Sequence, residues 1–310
     1  MPRSPLALAA LATVAIPGLD AFDVRQPRQS GSEYDVALVT DSEHRHWVVR
    51  APANAAAGAA LEAEVVLLAA LAAHVDSGAL PFEVPRPAGF AHLPEGGRVA
   101  VHPLVRGDAL RLDTLAPGPG LAASLGRALG ALHQLPTSVV ENAGLPVYDA
   151  PAYRQRRLAE VDEAAKTGKV PASLLRRWES KLEDVRLWRF QPTVVHGDLT
   201  ASHVLVHEGA VSGILDWDDA MVADPADDLS WLLVAASPDA AESVLEAYLL
   251  RRTELTDPFL TERALLAGEL ALARWLLYGV RTGRQDVVED AVGMLADLDA
   301  ATGAELVSVV

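Results

Sequence analysis

The 310-residue chain has no cysteine, which excludes disulfides, thiolate nucleophiles and Cys-type zinc centres. Lysine is nearly absent too, confined to Lys166, Lys169 and Lys181, and asparagine to Asn54 and Asn142. No Gly-x-Gly-x-x-Gly phosphate loop occurs, and no stretch reads as long and apolar enough to span a bilayer. Positive charge is scarce: 26 Lys and Arg stand against 42 Asp and Glu, for a net charge of −16. Nucleic acid is therefore not the expected partner, because phosphate backbones need basic surfaces. A cationic small molecule is compatible with this charge, as is plain solubility.

Half the residues are apolar, with Ala and Leu dominant. The chain can bury a full core and divide into two lobes. Its start, from Arg3 through the apolar run Leu6 to Ile16, imitates a secretory signal. A short helix broken by Pro17 and Gly18 is the preferred reading, since the basic region is weak and no small-x-small site closes the run. Residues 34–40 and 47–50 read as strands joined by the charged hairpin "DSEHRH", and residues 55–74 as a helix. A Gly96–Gly97 hairpin leads into a strand ending at Val105. After Arg106–Asp108 the character changes. Helical patterns cover residues 121–135, 152–167, 172–188 and long stretches beyond Pro225, interrupted by the strands "HVLVH" and "SGILD". This predicts an α+β, bilobal arrangement: a small antiparallel sheet with one main helix in residues 1–104, and a mostly helical lobe in residues 105–310.

Two stretches carry chemistry. In "VVHGDLTASHVLV" (residues 194–206) an apolar strand stops at a Gly-Asp turn, where Asp198 is held rigidly yet remains reachable, and His203 follows five positions later. In "SGILDWDD" (residues 212–219) a second strand ends on Asp216 before Trp217. A hairpin between the two could bring His203 and Asp216 to one end. A carboxylate that orients or deprotonates a hydroxyl, beside groups able to hold a divalent cation, is the equipment of phosphoryl transfer.

"HGDLTASHVLV…GILDWDDAMVADPADDL" resembles the catalytic core of the aminoglycoside phosphotransferase-like kinases, and most closely their macrolide 2′-phosphotransferase branch. The wider family pattern is His-Gly-Asp, four residues, Asn, then a strand ending in Asp and a later Asp-Pro-x-x-Asp-Leu. The macrolide branch puts His in place of the Asn and Trp after the second Asp, as this chain does at His203 and Trp217. The resemblance covers nearly the whole chain and is most specific in residues 194–229.

It implies a protein-kinase-like fold in which Asp198 is the base, His203 and Asp216 hold Mg2+, and His196 and Asp228 brace the catalytic loop. It also implies GTP or ATP as donor to residues 1–104, and a cationic macrolide as acceptor in the helical lobe. With no lysine available, the strand cation that grips phosphate is assigned to Arg50, paired with Glu64 or, as second choice, Glu62. Ser30, Gly31 and Ser32 are the candidate phosphate loop, and His102 and Leu104 the hinge strand that reads the purine. Asp218, Asp219 and Glu269, with Trp231, Trp275 and Tyr278, are candidates for the acceptor pocket. His203 is an unusual choice for magnesium, which prefers oxygen ligands. A cytoplasmic monomer with no membrane partner is expected.

Overall fold

Strand β1 (Ala21–Arg25), β2 (Tyr34–Asp41) and β3 (His46–Pro52) open the fold, preceded by helix α1 (Pro5–Ala15). The computed structural model describes residues 2–27, 33–253 and 257–308, with side chains through residue 302. Helix α1 begins where Ser4 caps the Ala7 amide and Pro5 supplies a helical φ. Arg3, the basic residue of the signal-like start, is ion-paired to Asp35 at 2.9 Å. The α1 side chains Leu8, Ala12 and Ala15 are buried with Val39, Val49 and Val101 of the sheet.

The β2–β3 turn is organised by one buried carboxylate. Asp41 accepts from the Glu43 and Arg45 amides, the Arg45 guanidinium and the Trp47 indole. These donors hold its pKa low, at about 2, against the opposing effect of desolvation. Helix α2 (Ala55–Asp76) follows, capped by Asn54, and then the hairpin β4 (Gly89–His92) and β5 (Arg98–Pro103). The five strands form one antiparallel sheet in the order β1-β2-β3-β5-β4. Helix α1 sits so close to β4 that a Cβ on Gly89 would lie 2.1 Å from the Ala15 carbonyl.

The sheet separates two apolar layers. Ala37, Val49, Ala51 and Val99 pack with α1, whereas Tyr34 and Ala100 pack with Ala57 and Leu61 of α2. Side chains alternate along a strand, so Arg50, between Val49 and Ala51, faces α2.

Helix α2 departs from the expectation of no membrane-length stretch. It has 22 residues, with an 18-residue stretch of mean hydropathy 1.8, long and apolar enough to cross a membrane by length and composition. Alanine and leucine give it that character, and Glu62 and Glu64 are its only acids before Asp76. Leu67, Leu68 and Leu71 in its C-terminal half pack into the main core of the following region, as a core helix does.

That region contains strand β6 (Asp108–Ala109), helices α3 (Leu121–Leu132), α4 (Ser138–Glu141), α5 (Ala150–Lys166) and α6 (Ala172–Glu183), and strands β7 (Thr193–Val195), β8 (Val204–His207), β9 (Ala210–Ile214) and β10 (Met221–Ala223). It ends in helices α7 (Asp227–Ala235), α8 (Pro238–Arg251), α9 (Leu260–Thr282) and α10 (Gln285–Ser308). Its strands make two small sheets, β6-β8-β9 and β10-β7. Helices α3, α7 and α8 surround the core that includes Val194, Ile214 and Trp217, while α5, α6, α9 and α10 enclose a second cluster around Trp178 and Leu276.

Helix α6 stops five residues earlier than the expected boundary at 188. Asp184 turns back onto the Arg186 amide, the Trp188 indole bonds the Lys181 carbonyl at 3.1 Å, and Arg263 takes the Leu187 carbonyl at 3.0 Å. Tertiary partners for the segment's polar groups outweigh its helical pattern.

Candidate active site

Strand β7 is buried along its whole length, and its last residue leads directly into His196, Gly197 and Asp198. Gly197 has φ +87°, and a Cβ there would lie 2.2 Å from the Asp219 carbonyl, so only glycine lets the two acid-bearing loops approach. The loop is held from behind by Asp228 at the start of α7. Its carboxylate accepts the His196 amide at 2.8 Å and the Gly197 amide at 3.0 Å. Asp228 is fully buried. Desolvation opposes its charge, but hydrogen bonds from His133 and the His196 amide, with the nearby imidazoles, hold its pKa below the usual carboxylate range.

His196 is also wholly buried. Its Nε2 lies 2.8 Å from the Leu215 carbonyl, tying the loop to the chain beyond β9, and burial lowers its pKa. Its ring stacks on His203 and tilts against Trp217. Trp217 is a core residue, donating to the Ile214 carbonyl and stacking on Phe82.

The β8–β9 hairpin turns through Glu208 and Gly209, both at positive φ, and brings His203 and Asp216 to the same end. His203 Nε2 lies 3.5 Å from Asp216 Oδ2. His203 Nδ1 lies 2.9 Å from the backbone carbonyl of Asp198 and donates to it, which leaves Nε2 as the nitrogen that faces Asp216. A divalent cation bound at this end would meet His203 Nε2 and Asp216 Oδ2 together. Among the described residues, no group of three or more His, Asp or Glu side chains forms a ready metal cage. Such a cation would therefore be held by this pair together with donors from the nucleotide and water, as is usual for magnesium. The Asp198 carboxylate is exposed, and no hydrogen bond occupies it among the described residues.

Arg50 faces this loop from the sheet. Its Nη1 donates to both Glu64 oxygens at 2.7 Å, and its guanidinium lies over the Tyr34 ring at 4.3 Å. Glu64 falls on the buried stripe of α2 with Ala57, Leu61, Leu68 and Leu71, a helical spacing. Burial pushes the Glu64 carboxyl upward, Arg50 pulls it down, and Asp218 adds to the rise. Glu62 is turned away and pairs with Arg98.

The other nitrogen of Arg50, Nη2, reaches across to Asp218 at 3.1 Å from each oxygen and to Asp216 at 3.5 Å. Asp218, expected in the acceptor pocket, is thus engaged by Arg50. Asp219 next to it is not. It lies solvent-exposed at the cleft, where desolvation of its carboxyl by the cleft walls, followed by the charges of Asp198, Asp218 and Asp216, raises its pKa.

The structure disperses the remaining acceptor candidates. Glu269 is taken by Arg177 at 2.7 Å and the Trp178 indole at 2.8 Å. Trp231 donates to the Asp228 carbonyl and packs on the core. Trp275 and Tyr278 stack on each other on α9, and Trp275 bonds Asp290 of α10; neither bonds or stacks on the catalytic loop.

On β5, burial pushes the His102 pKa down to about 4, and Leu104, just past the strand, has its amide bonded to the His46 carbonyl. Ser30, Gly31 and Ser32 lie outside the described residues.

Two groups of residues escaped the sequence reading. His133, at the end of α3, joins Asp228 to Tyr248; a single His closing an apolar helix gives no periodic signal. Arg263, 2 % exposed, clamps Asp224 through Nε at 2.6 Å and Nη2 at 3.0 Å and also grips Asp257. The Asp-Pro pair at residues 224–225 was its available sign.

Comparison with known proteins agrees with this layout. The chain is 26% identical to macrolide 2′-phosphotransferase MphH from Brachybacterium faecium, covering 94% of this chain and 97% of that one with a TM-score of 0.78. The GDP complex of aminoglycoside 2′-phosphotransferase-IIIa superposes with a TM-score of 0.79 over 97% of this chain and 100% of that one at 20% identity, which speaks to the fold alone. The uncharacterized protein YcbJ of Bacillus subtilis (strain 168) is 27% identical over 217 residues, 66% of this chain and 67% of that protein. The fold is therefore protein-kinase-like, an antiparallel sheet region followed by a mostly helical one. With residues 24–264 matching the family as a whole, the chain belongs to the phosphotransferase enzyme family (APH).

Proposed function

We propose that the protein transfers the γ-phosphate of GTP or ATP to the 2′-hydroxyl of the amino sugar of a macrolide. The observation that carries this reading is the His203–Asp216 pair behind Trp217, the variant of the kinase core that the macrolide branch uses. The likeness to MphH over nearly the full length supports it. Residues 1–104 hold the donor and residues 105–310 the acceptor. Asp198 orients the acceptor hydroxyl and takes its proton. Arg50, set by Glu64, grips the donor phosphates, releasing Asp216 and Asp218 as it does so. A magnesium ion held by His203 and Asp216 would neutralise charge on the phosphates. Incubating the protein with GTP or ATP against a panel of macrolides, aminoglycosides and amino alcohols, and measuring nucleoside diphosphate release, tests the reading. Turnover only with aminoglycosides would refute the acceptor, and none with any panel member would leave a nucleotide-binding protein without transfer.

His203 performs two tasks that an asparagine could also perform. An amide N–H can donate to the Asp198 carbonyl while the amide oxygen faces the cation. His203→Asn is therefore expected to retain substantial magnesium-dependent activity. His203→Ala is expected to lose about tenfold to hundredfold in kcat/KM, the range seen when groups supporting a metal are removed. Magnesium titrations of both variants check this, and equal activity would remove His203 from the metal site.

The acceptor's amine is a second test. Its ammonium is assigned to Asp219, the acid beside the catalytic loop that Arg50 leaves unengaged. Holding it there would set the neighbouring hydroxyl within the 2.6–3.2 Å or so that a base needs. A macrolide without the dimethylamino group is expected to lose more kcat/KM than its lost apolar area explains, at about 25 cal/mol per Å2. Phosphorus-coupled NMR of the product should place phosphate on the sugar; phosphate on the lactone ring would overturn the orientation.

A further inference from the structure

Arg50 faces more negative charge than its task explains. Three carboxylates surround its guanidinium, Glu64 on Nη1 and Asp218 and Asp216 on Nη2. Glu64 sets the arginine from α2, and Asp216 is assigned to the metal pair with His203. Asp218 has no part in the proposed chemistry, yet it makes the closer contact with Nη2, 3.1 Å to each oxygen against 3.5 Å for Asp216. It is also better enclosed, with its side chain 22% exposed and that of Asp216 49%.

The turn after β9 sets up this contact. Asp216 sits at φ +66° and Trp217 is buried in the core. The two acids on either side of the tryptophan therefore face Arg50 while the indole faces away. The arginine side chain is only 12% exposed, which shields the bridge from the salt and water that weaken surface pairs.

A carboxylate with both oxygens turned to one guanidinium nitrogen takes the place that two oxygens of a phosphate would take. We propose that Asp218 is an internal occupant of the phosphate seat on Arg50. It closes a bridge between the sheet and the helical region when no donor is bound, and the phosphates of a nucleotide must displace it to bind. Glu64 holds Nη1 in both states, so the exchange turns on Nη2 alone. The proposal rests on reading Arg50 as the phosphate grip and is independent of the acceptor.

An occupied seat lowers the apparent affinity in proportion to the fraction of molecules in which the seat is free. A seat free in about a tenth to a third of molecules weakens donor binding about tenfold to threefold. Asp218→Asn and Asp218→Ser both remove the charge that holds the bridge. Asp219→Asn removes the same charge from the neighbouring acid, which makes no bond to Arg50 among the described residues.

Calorimetric titration of the full chain with ATP, GTP and inorganic tripolyphosphate, each with and without magnesium, reads the seat directly. Tripolyphosphate carries no base or sugar, so its binding reports the phosphate contacts alone. Its Kd should fall about threefold to tenfold in Asp218→Asn and Asp218→Ser, and change much less in Asp219→Asn. A crystal structure of the tripolyphosphate complex should show a phosphate oxygen on Arg50 Nη2 and the Asp218 carboxylate withdrawn.

Unchanged or weaker binding in both Asp218 variants overturns the proposal, and weakening confined to samples with magnesium would make Asp218 a metal ligand instead. Equal tightening in Asp219→Asn overturns it too, since a general loss of negative charge then accounts for the gain. So does a complex in which Asp218 stays on Nη2 beside bound phosphate. No binding of any polyphosphate by parent or variants overturns both this inference and the donor reading. Tightening as expected with no acceptor turned over counts against the assigned reaction and leaves the bridge standing.

Discussion

Asp198→Ala is expected to reduce phosphoryl transfer by about 100- to 10,000-fold, the range for removing a positioned general base, while nucleotide affinity stays nearly intact. The geometry separates the two effects. The loop is held by its backbone: Asp228 takes the His196 and Gly197 amides, and His203 donates to the Asp198 carbonyl. None of these bonds uses the Asp198 carboxylate, so the substitution leaves the loop anchored and the fold within about 0.5 kcal/mol of the parent. Arg50 and Glu64, assigned to the donor, lie across the cleft and make no bond to Asp198. Single-turnover assays with fluorescent-nucleotide titration and thermal denaturation check all three statements. A folded Asp198→Ala protein that fails to bind nucleotide would move Asp198 to the donor side, and one that retains turnover would leave the reaction without its base.

How far the sequence showed this site depends on the kind of signal each residue leaves. Arg50 and Glu64 were legible by scarcity: with all three lysines in the helical region, a strand arginine and a glutamate on a helical stripe were the remaining partners. Strand alternation and helix periodicity then place them face to face. The β8–β9 hairpin was legible because two apolar strands flank a short polar turn, and its ends bring His203 and Asp216 within 3.5 Å.

Asp218 was not legible, because in "DWDD" three acids crowd one turn and only the tertiary position of Arg50 decides which is engaged. What the aromatic and acidic candidates on α7 and α9 bond to was hidden for a related reason. Trp231, Glu269 and Trp275 each have a polar group that finds a partner nearby, and side-chain identity says nothing about whether a local bond already uses it. His133 left no trace, since its two hydrogen-bond partners come from α7 and α8, about 100 positions away in sequence.

Arg50→Ala is expected to damage the protein twice, and the two injuries can be told apart. The first is to stability. Glu64 is 1% exposed and takes both of its strong hydrogen bonds from Arg50 Nη1. Removing one partner of a buried ion pair costs about 3–5 kcal/mol, because the remaining charge is left without compensation. The pH dependence follows from the direction of the Glu64 shift. Its folded-state pKa is already raised by burial, and loss of the guanidinium raises it further. A carboxyl with a raised pKa is neutral and harmless below its unfolded value, and it costs stability as pH rises through the folded value. In the parent that folded value is about 8, so the deficit of Arg50→Ala relative to the parent should change little up to about pH 8 and grow above it, as urea denaturation at a series of pH values will show.

The second injury is to the donor. A charge-assisted hydrogen bond contributes about 1.5–3 kcal/mol, so losing the grip should raise the nucleotide KM roughly tenfold to hundredfold. Pairing Arg50→Ala with Glu64→Gln removes the buried charge without restoring the cation. Above about pH 8 the double variant should recover most of the stability that the single variant loses there, and none of the nucleotide affinity. If it recovers both, Arg50 serves the fold alone. If the single variant keeps the parent's KM at pH 5, where it should be folded, the phosphate-binding cation lies elsewhere in the chain.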